Sequence, residues 1–149
     1  MSRPLITVLW LGGAALVAGS VFLDWFSYLP AGDPGVTPAV KESAMEEGGN
    51  GGLLIVAAAT LALSYALSLM LPRRWFGAVG AGLGVAAGVV VALTIASPPQ
   101  EGATVLTQQN VGSSTAPLEA SLEIGPFVAF AGAIAAAAGA IGAILLSAK

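Results

Sequence analysis

Residues 5–23, 53–71, 75–96 and 127–146 contain no charged side chain. A helix rises 1.5 Å per residue, so about 20 apolar residues cross the hydrocarbon layer of a bilayer. Each run therefore predicts a transmembrane helix. One such run could be the buried helix of a soluble domain. Four within 149 residues cannot, because too little polar chain remains to cover them. The expected architecture is an all-α membrane protein: a single domain over residues 1–149, with four transmembrane helices joined on one side by loops 24–50 and 97–125.

The polar segments carry their own patterns. Leu29-Pro30-Ala31-Gly32-Asp33-Pro34-Gly35 is turn chemistry throughout. Thr37-Pro38 reads as an N-cap followed by proline at the first helical position, and predicts a short helix over residues 39–47 that stops at Gly48-Gly49. Glu42 and Glu46 would share its solvated face. They could bind Ca²⁺ only with further carboxylates, and no liganding loop surrounds them. In the second loop Leu118, Ala120, Leu122 and Ile124 alternate with Glu119, Ser121 and Glu123, the period of a half-buried strand. Residues 103–107 are a weaker strand that could pair with it as a β-hairpin. Both loops are expected to form a small outer cap.

Charge gives these spans a direction. Arg3, Arg73, Arg74 and Lys149 fall on one side of the layer and make +4; Lys41 and all eight acids fall on the other and make −7, together the formal −3. Basic residues in short flanking loops mark the cytoplasmic face, so both termini are expected there, in a bacterial plasma membrane. The first apolar run exceeds a typical signal-peptide core and is expected to be retained. With 56% hydrophobic and 9% charged residues, lipid is the solvent for most of the chain.

The chemistry available is narrow. No cysteine and no histidine occur. A cysteine nucleophile, a Ser-His-Asp triad and histidine ligation of zinc or haem are therefore impossible within this chain. The expectation is no enzyme activity, no catalytic or metal-binding residues and no cofactor. At the end of the first span, FLDWFSY (residues 22–28) sets Asp24 among aromatic rings. Trp25 and Tyr28 read as an interfacial belt, with Arg73, Arg74 and Trp75 as its counterpart on the other side. Asp24 is expected to be an interfacial carboxylate, solvated or capping local backbone; a proton or cation role is the competing reading. Trp10, inside the span, is expected to pack against a neighbouring helix or lipid.

Gly80, Gly84 and Gly88 recur every fourth residue, as do Gly132, Ala136 and Ala140. Such spacing makes a smooth helix face that another helix can approach closely. No span contains an acid, a base, asparagine or glutamine, which argues against a transporter.

The Asp24-Trp25-Phe26-Ser27-Tyr28 motif, the Gly48-Gly49-Asn50-Gly51-Gly52 run into the second span and Leu122-Glu123-Ile124-Gly125-Pro126 before the fourth together resemble small actinobacterial-type four-helix integral membrane proteins. The usual motif has proline where this chain has Asp24. The resemblance implies no enzyme activity and carries over no functional residues. The expected role is a non-catalytic accessory or structural subunit of a larger membrane complex, with an actinobacterial respiratory assembly as one host. Its partners would be other integral membrane subunits, lipids and a basic soluble protein at the acidic outer face, with no nucleic acid. The alternatives are a homo-oligomeric channel, with Thr60, Ser64 and Ser68 as its only polar lining, and an envelope ligand-binding or sensor protein.

The topology is testable without background labelling, because the chain has no native cysteine. Cysteines at Glu46 and Glu119 should react with an impermeant reagent added outside cells. One replacing Arg74 should react only after permeabilisation, and outside labelling at Arg74 would reverse the orientation.

Overall fold

A backbone facing lipid must satisfy its own hydrogen bonds, and the apolar runs do so as helices. The computed structural model describes residues 2–30, 40–45, 50–70, 73–97 and 118–148. Within them α1 spans Arg3–Ser20, α2 Gly51–Met70, α3 Arg73–Ala96 and α4 Ile124–Ser147. All four are long and apolar enough to cross a membrane. Their outward surfaces carry Val8, Leu16, Leu63, Val85 and Ile134, the surface of a multi-pass membrane protein. Each helix packs on the next, and α4 returns to α1 to close the ring. Only residues 71–72 separate α2 from α3, so the helices alternate in direction around it.

Trp10 of α1 lies in the half of the bundle remote from the sheet and is fully buried. Its indole N–H donates to the Leu61 carbonyl of α2 at 3.1 Å, and its ring meets the Tyr65 ring edge-on at 5.5 Å between centroids. On α3, Gly80 lies against the same ring, where an added Cβ would overlap it. On α4, a Cβ at Gly139 would stand 2.6 Å from the Trp10 backbone nitrogen. Trp10 thus touches all three other helices, its ring on α2 and α3 and its backbone on α4, and two of them need glycine to make room.

Beyond Trp10, α1 and α4 touch backbone to backbone. A Cβ on Gly13 would lie 2.5 Å from the Gly132 carbonyl oxygen, and one on Gly132 would lie 2.7 Å from the Gly13 oxygen. Ala136 and Ala140 are buried on the same face of α4. The α3–α4 crossing falls at Gly84, whose added Cβ would meet the Ala137 nitrogen at 3.0 Å and the Ala133 oxygen at 3.1 Å. At Gly88 the helices have parted, and the nearest neighbour would be the Ala133 Cβ at 4.0 Å.

The cap is a three-stranded antiparallel sheet of order β2-β1-β3, with β1 Asp24–Pro30, β2 Val40–Ser43 and β3 Leu118–Leu122. Trp25, Phe26, Ser27 and Tyr28 are all buried, so the middle strand is covered on both faces and its backbone needs a partner along each edge. On one side Phe26 pairs with Glu42 and Tyr28 with Val40; on the other Phe26 pairs with Leu122 and Tyr28 with Ala120.

Three expectations are corrected here. Residues 40–43 form a strand where a helix over 39–47 was expected; the expected cap at Thr37-Pro38 and the expected end at Gly48-Gly49 lie outside the described residues. Local propensity favoured helix, but pairing with the buried edge of β1 overrides it. Glu42, expected on a solvated helix face, is buried on β2. The residues that open the first loop, Asp24–Pro30, are themselves the central strand. β3 forms as expected but pairs with β1, and residues 103–107, its expected hairpin partner, lie outside the described residues.

Glycine contacts define a stability test. Gly13→Ala and Gly132→Ala should each destabilise the detergent-purified protein by about 1–3 kcal/mol, the usual cost of overpacking. Gly12→Ala, where a Cβ meets nothing within 4 Å, should be neutral or slightly stabilising. Equal thermal melting of all three variants would contradict the close α1–α4 contact.

Candidate functional site

At the sheet end, α1 terminates at Ser20 and leaves carbonyls without helical partners. The Leu23 amide takes the Ser20 carbonyl at 3.1 Å, and the Trp25 indole N–H reaches back to the same oxygen at 2.8 Å. The ladder register shifts between Asp24 and Phe26, the irregularity that leaves Trp25 out of the β2 pairing. The Trp25 carbonyl accepts from the Glu123 amide at 3.0 Å, and a Cβ on Gly125 would stand 2.6 Å from the Trp25 indole nitrogen. Trp25 therefore joins the end of α1 to the start of α4. Tyr28 is also buried, with its ring 6.4 Å from that of Phe26. Neither ring faces outward as a belt residue would: the aromatic motif is the seam between sheet and bundle.

Asp24 is about half exposed and accepts a hydrogen bond from the Lys41 ammonium at 3.1 Å. That bond and the Asp24 charge, with a further contribution from Glu123, raise the Lys41 pKa above its ordinary value. Asp24 is thus one half of an ion pair across β1 and β2. Beside it, the Ser27 and Ser121 hydroxyls meet at 2.6 Å across β1 and β3. Asn50, before α2, donates to the Thr94 hydroxyl at 2.9 Å and ties α2 to the end of α3.

At the opposite end, the Arg74 guanidinium donates to the Ser147 carbonyl at 3.1 Å, closing the end of α4. Trp75 beside it is 75% exposed. Arg73 begins α3, and its side chain lies outside the description. The Thr7 and Tyr65 hydroxyls meet at 2.7 Å between α1 and α2. They edge a recess of about 20 Å³ that Arg3, Trp10 and Ser68 also line.

Between α3 and α4 a wider, apolar cavity of about 350 Å³ opens outward where the helices part beyond Gly84; Gly88, Ala92, Phe130 and Ala133 line it. The predicted packing residues Gly80, Gly84, Gly132, Ala136 and Ala140 all face neighbours within the chain, and Gly88 borders this cavity. The Thr60, Ser64 and Ser68 hydroxyls of α2 are engaged in their own helix: Thr60 donates to the Val56 carbonyl, Ser64 to Leu61 and Ser68 to Tyr65. Among the described residues no three carboxylates converge as a metal site. Sequence reading missed the Asp24–Lys41 pair and the Thr7–Tyr65 contact, because both join residues far apart in the chain. No protein-family model matches the chain, and no curated protein matches it.

The ion pair predicts a pH dependence. A raised lysine pKa contributes stability that is complete below the ordinary value of 10.5 and is lost as pH rises through the folded value. Asp24→Asn should therefore melt slightly below wild type at neutral pH, since both partners are well solvated. The two melting curves should converge at alkaline pH, and a constant gap across the whole range would remove Lys41 as the partner that matters.

Proposed function

We propose that this chain is a non-catalytic accessory or structural subunit of a larger membrane protein complex in a bacterial plasma membrane, with both termini cytoplasmic. A respiratory assembly of the actinobacterial type is the proposed host. The observation that carries this reading is the second small-residue face of α3. Ala78, Gly82 and Ala86 recur every fourth residue and are exposed, and an added Cβ at Gly82 would meet nothing within 4 Å. Gly80 and Gly84, by contrast, are spent on contacts inside the bundle. In lipid, apolar burial contributes little to association, and close backbone approach along small residues is what favours it. The exposed face of α3 provides that for a partner's helix, and the carboxylate-rich outer loops supply attraction for a basic soluble protein.

Mild-detergent purification from cells at native expression, followed by mass spectrometry, tests the reading. Wild type should retain specific membrane subunits. Gly82→Leu should lose them while melting like wild type, because its leucine points away from the bundle. Gly84→Leu should instead lower the melting temperature, since its leucine enters the α3–α4 crossing. A wild-type chain that purifies alone would count decisively against a subunit role.

A further inference from the structure

The recess between the inner ends of α1 and α2 has a composition unlike the rest of the bundle. Ile6, Trp10 and Ala143 form its apolar floor, and Arg3, Thr7 and Tyr65 bring polar groups to it. Its volume, about 20 Å³, is room for a single oxygen-sized group. Arg3 is exposed at the mouth, and no acidic side chain among the described residues pairs with it. In the sequence all eight acids fall within residues 24–47 and 101–123, the segments between α1 and α2 and between α3 and α4.

Proton accounting shows what the recess can donate. Thr7 and Tyr65 each carry one hydroxyl proton. The Thr7 hydroxyl lies 2.7 Å from the Tyr65 oxygen and 3.2 Å from the Arg3 carbonyl. Directed along the shorter of these contacts, the Thr7 proton goes to Tyr65 rather than to the Arg3 carbonyl, and the phenol proton then points into the recess. The Ser68 hydroxyl is committed to the Tyr65 carbonyl at 2.6 Å, and the Trp10 N–H to Leu61. The available donors are thus the Arg3 guanidinium and one phenol, with no acceptor set suited to a cation.

We propose that this recess holds one phosphate oxygen of an anionic phospholipid, bound by the Arg3 guanidinium and the Tyr65 hydroxyl. The depth fits, because Thr7 is one turn inside the helix end, about 6 Å below Arg3, where headgroup meets hydrocarbon. The small enclosed volume admits one non-bridging oxygen, and the remaining headgroup stays in the open mouth. Charge selects the lipid. This end of the chain carries four basic residues and no acidic side chain, so a zwitterionic headgroup would bring its cation to a surface of predominantly positive charge. An anionic lipid brings only the phosphate charge that arginine binds well.

The test uses the full chain in phosphatidylcholine nanodiscs with added phosphatidylglycerol, read by native mass spectrometry of retained lipid and by thermal melting. Wild type should retain phosphatidylglycerol and melt higher with it. Arg3→Gln should weaken retention about tenfold or more, the loss of a charge-assisted hydrogen bond. Tyr65→Phe, which keeps the ring against Trp10, should weaken it several-fold. Arg74→Gln removes the same charge at the same end but outside the recess, and should leave retention intact. Inorganic phosphate added to phosphatidylcholine discs should not raise the melting temperature. Equal losses in Arg3→Gln and Arg74→Gln would reduce the effect to diffuse attraction and overturn the site. Stabilisation by inorganic phosphate equal to that by lipid would make it a soluble-anion site and overturn the lipid assignment.

Discussion

One indole in a dry interior organises this bundle. Burying the Trp10 N–H without an acceptor would cost a full desolvation penalty, so a neighbouring helix must supply a carbonyl at the right height. Leu61 does so. The ring that comes with the N–H is large, and α3 closes over it only because Gly80 lies there, while Gly139 lets α4 approach the Trp10 backbone. The polar demand fixes the height of α1 against α2; the steric demand fixes which faces of α3 and α4 turn inward. The close contacts at Gly13, Gly132 and Gly84 follow from that placement.

The spans were legible because their signal is length and absence of charge, which no tertiary contact has to supply. The sheet was only partly so. β3 announced itself by strict alternation, but its partner sits 94 residues away at Ser27, a distance no local pattern spans. Val40-Lys41-Glu42-Ser43 has the composition of a helix and becomes a strand because a buried strand edge needs it. Trp25 and Tyr28 misled for a different reason: aromatic residues with a polar tip suit both a lipid interface and a buried seam with one carbonyl to satisfy. Only the position of Ser20 separates the two uses.

Four-residue spacing of small residues was a sound sign of close packing but said nothing about direction. Along α3, residues 78, 80, 82, 84, 86 and 88 are all glycine or alanine. Positions two apart lie about 200° around a helix, so such a run smooths two nearly opposite faces at once. One face takes Trp10 and α4; the other is exposed. The sequence pattern cannot assign them, and the bulk of Trp10 on one side does.

The packing of α1 against α4 has a consequence for how the protein is made. Of the four helices, α1 is made first and has its principal neighbour in α4, and the central strand that follows α1 waits for β3 just before α4. During synthesis Trp10 can find its α2 acceptor early, whereas the Gly13 groove and one edge of β1 have no partner until β3 and α4 have been made. Long-range closure of this kind is slow relative to hairpin formation between neighbours. The half-made chain therefore presents to the insertion machinery a glycine notch in the membrane and an open strand edge above it, and the arrival of α4 covers both together.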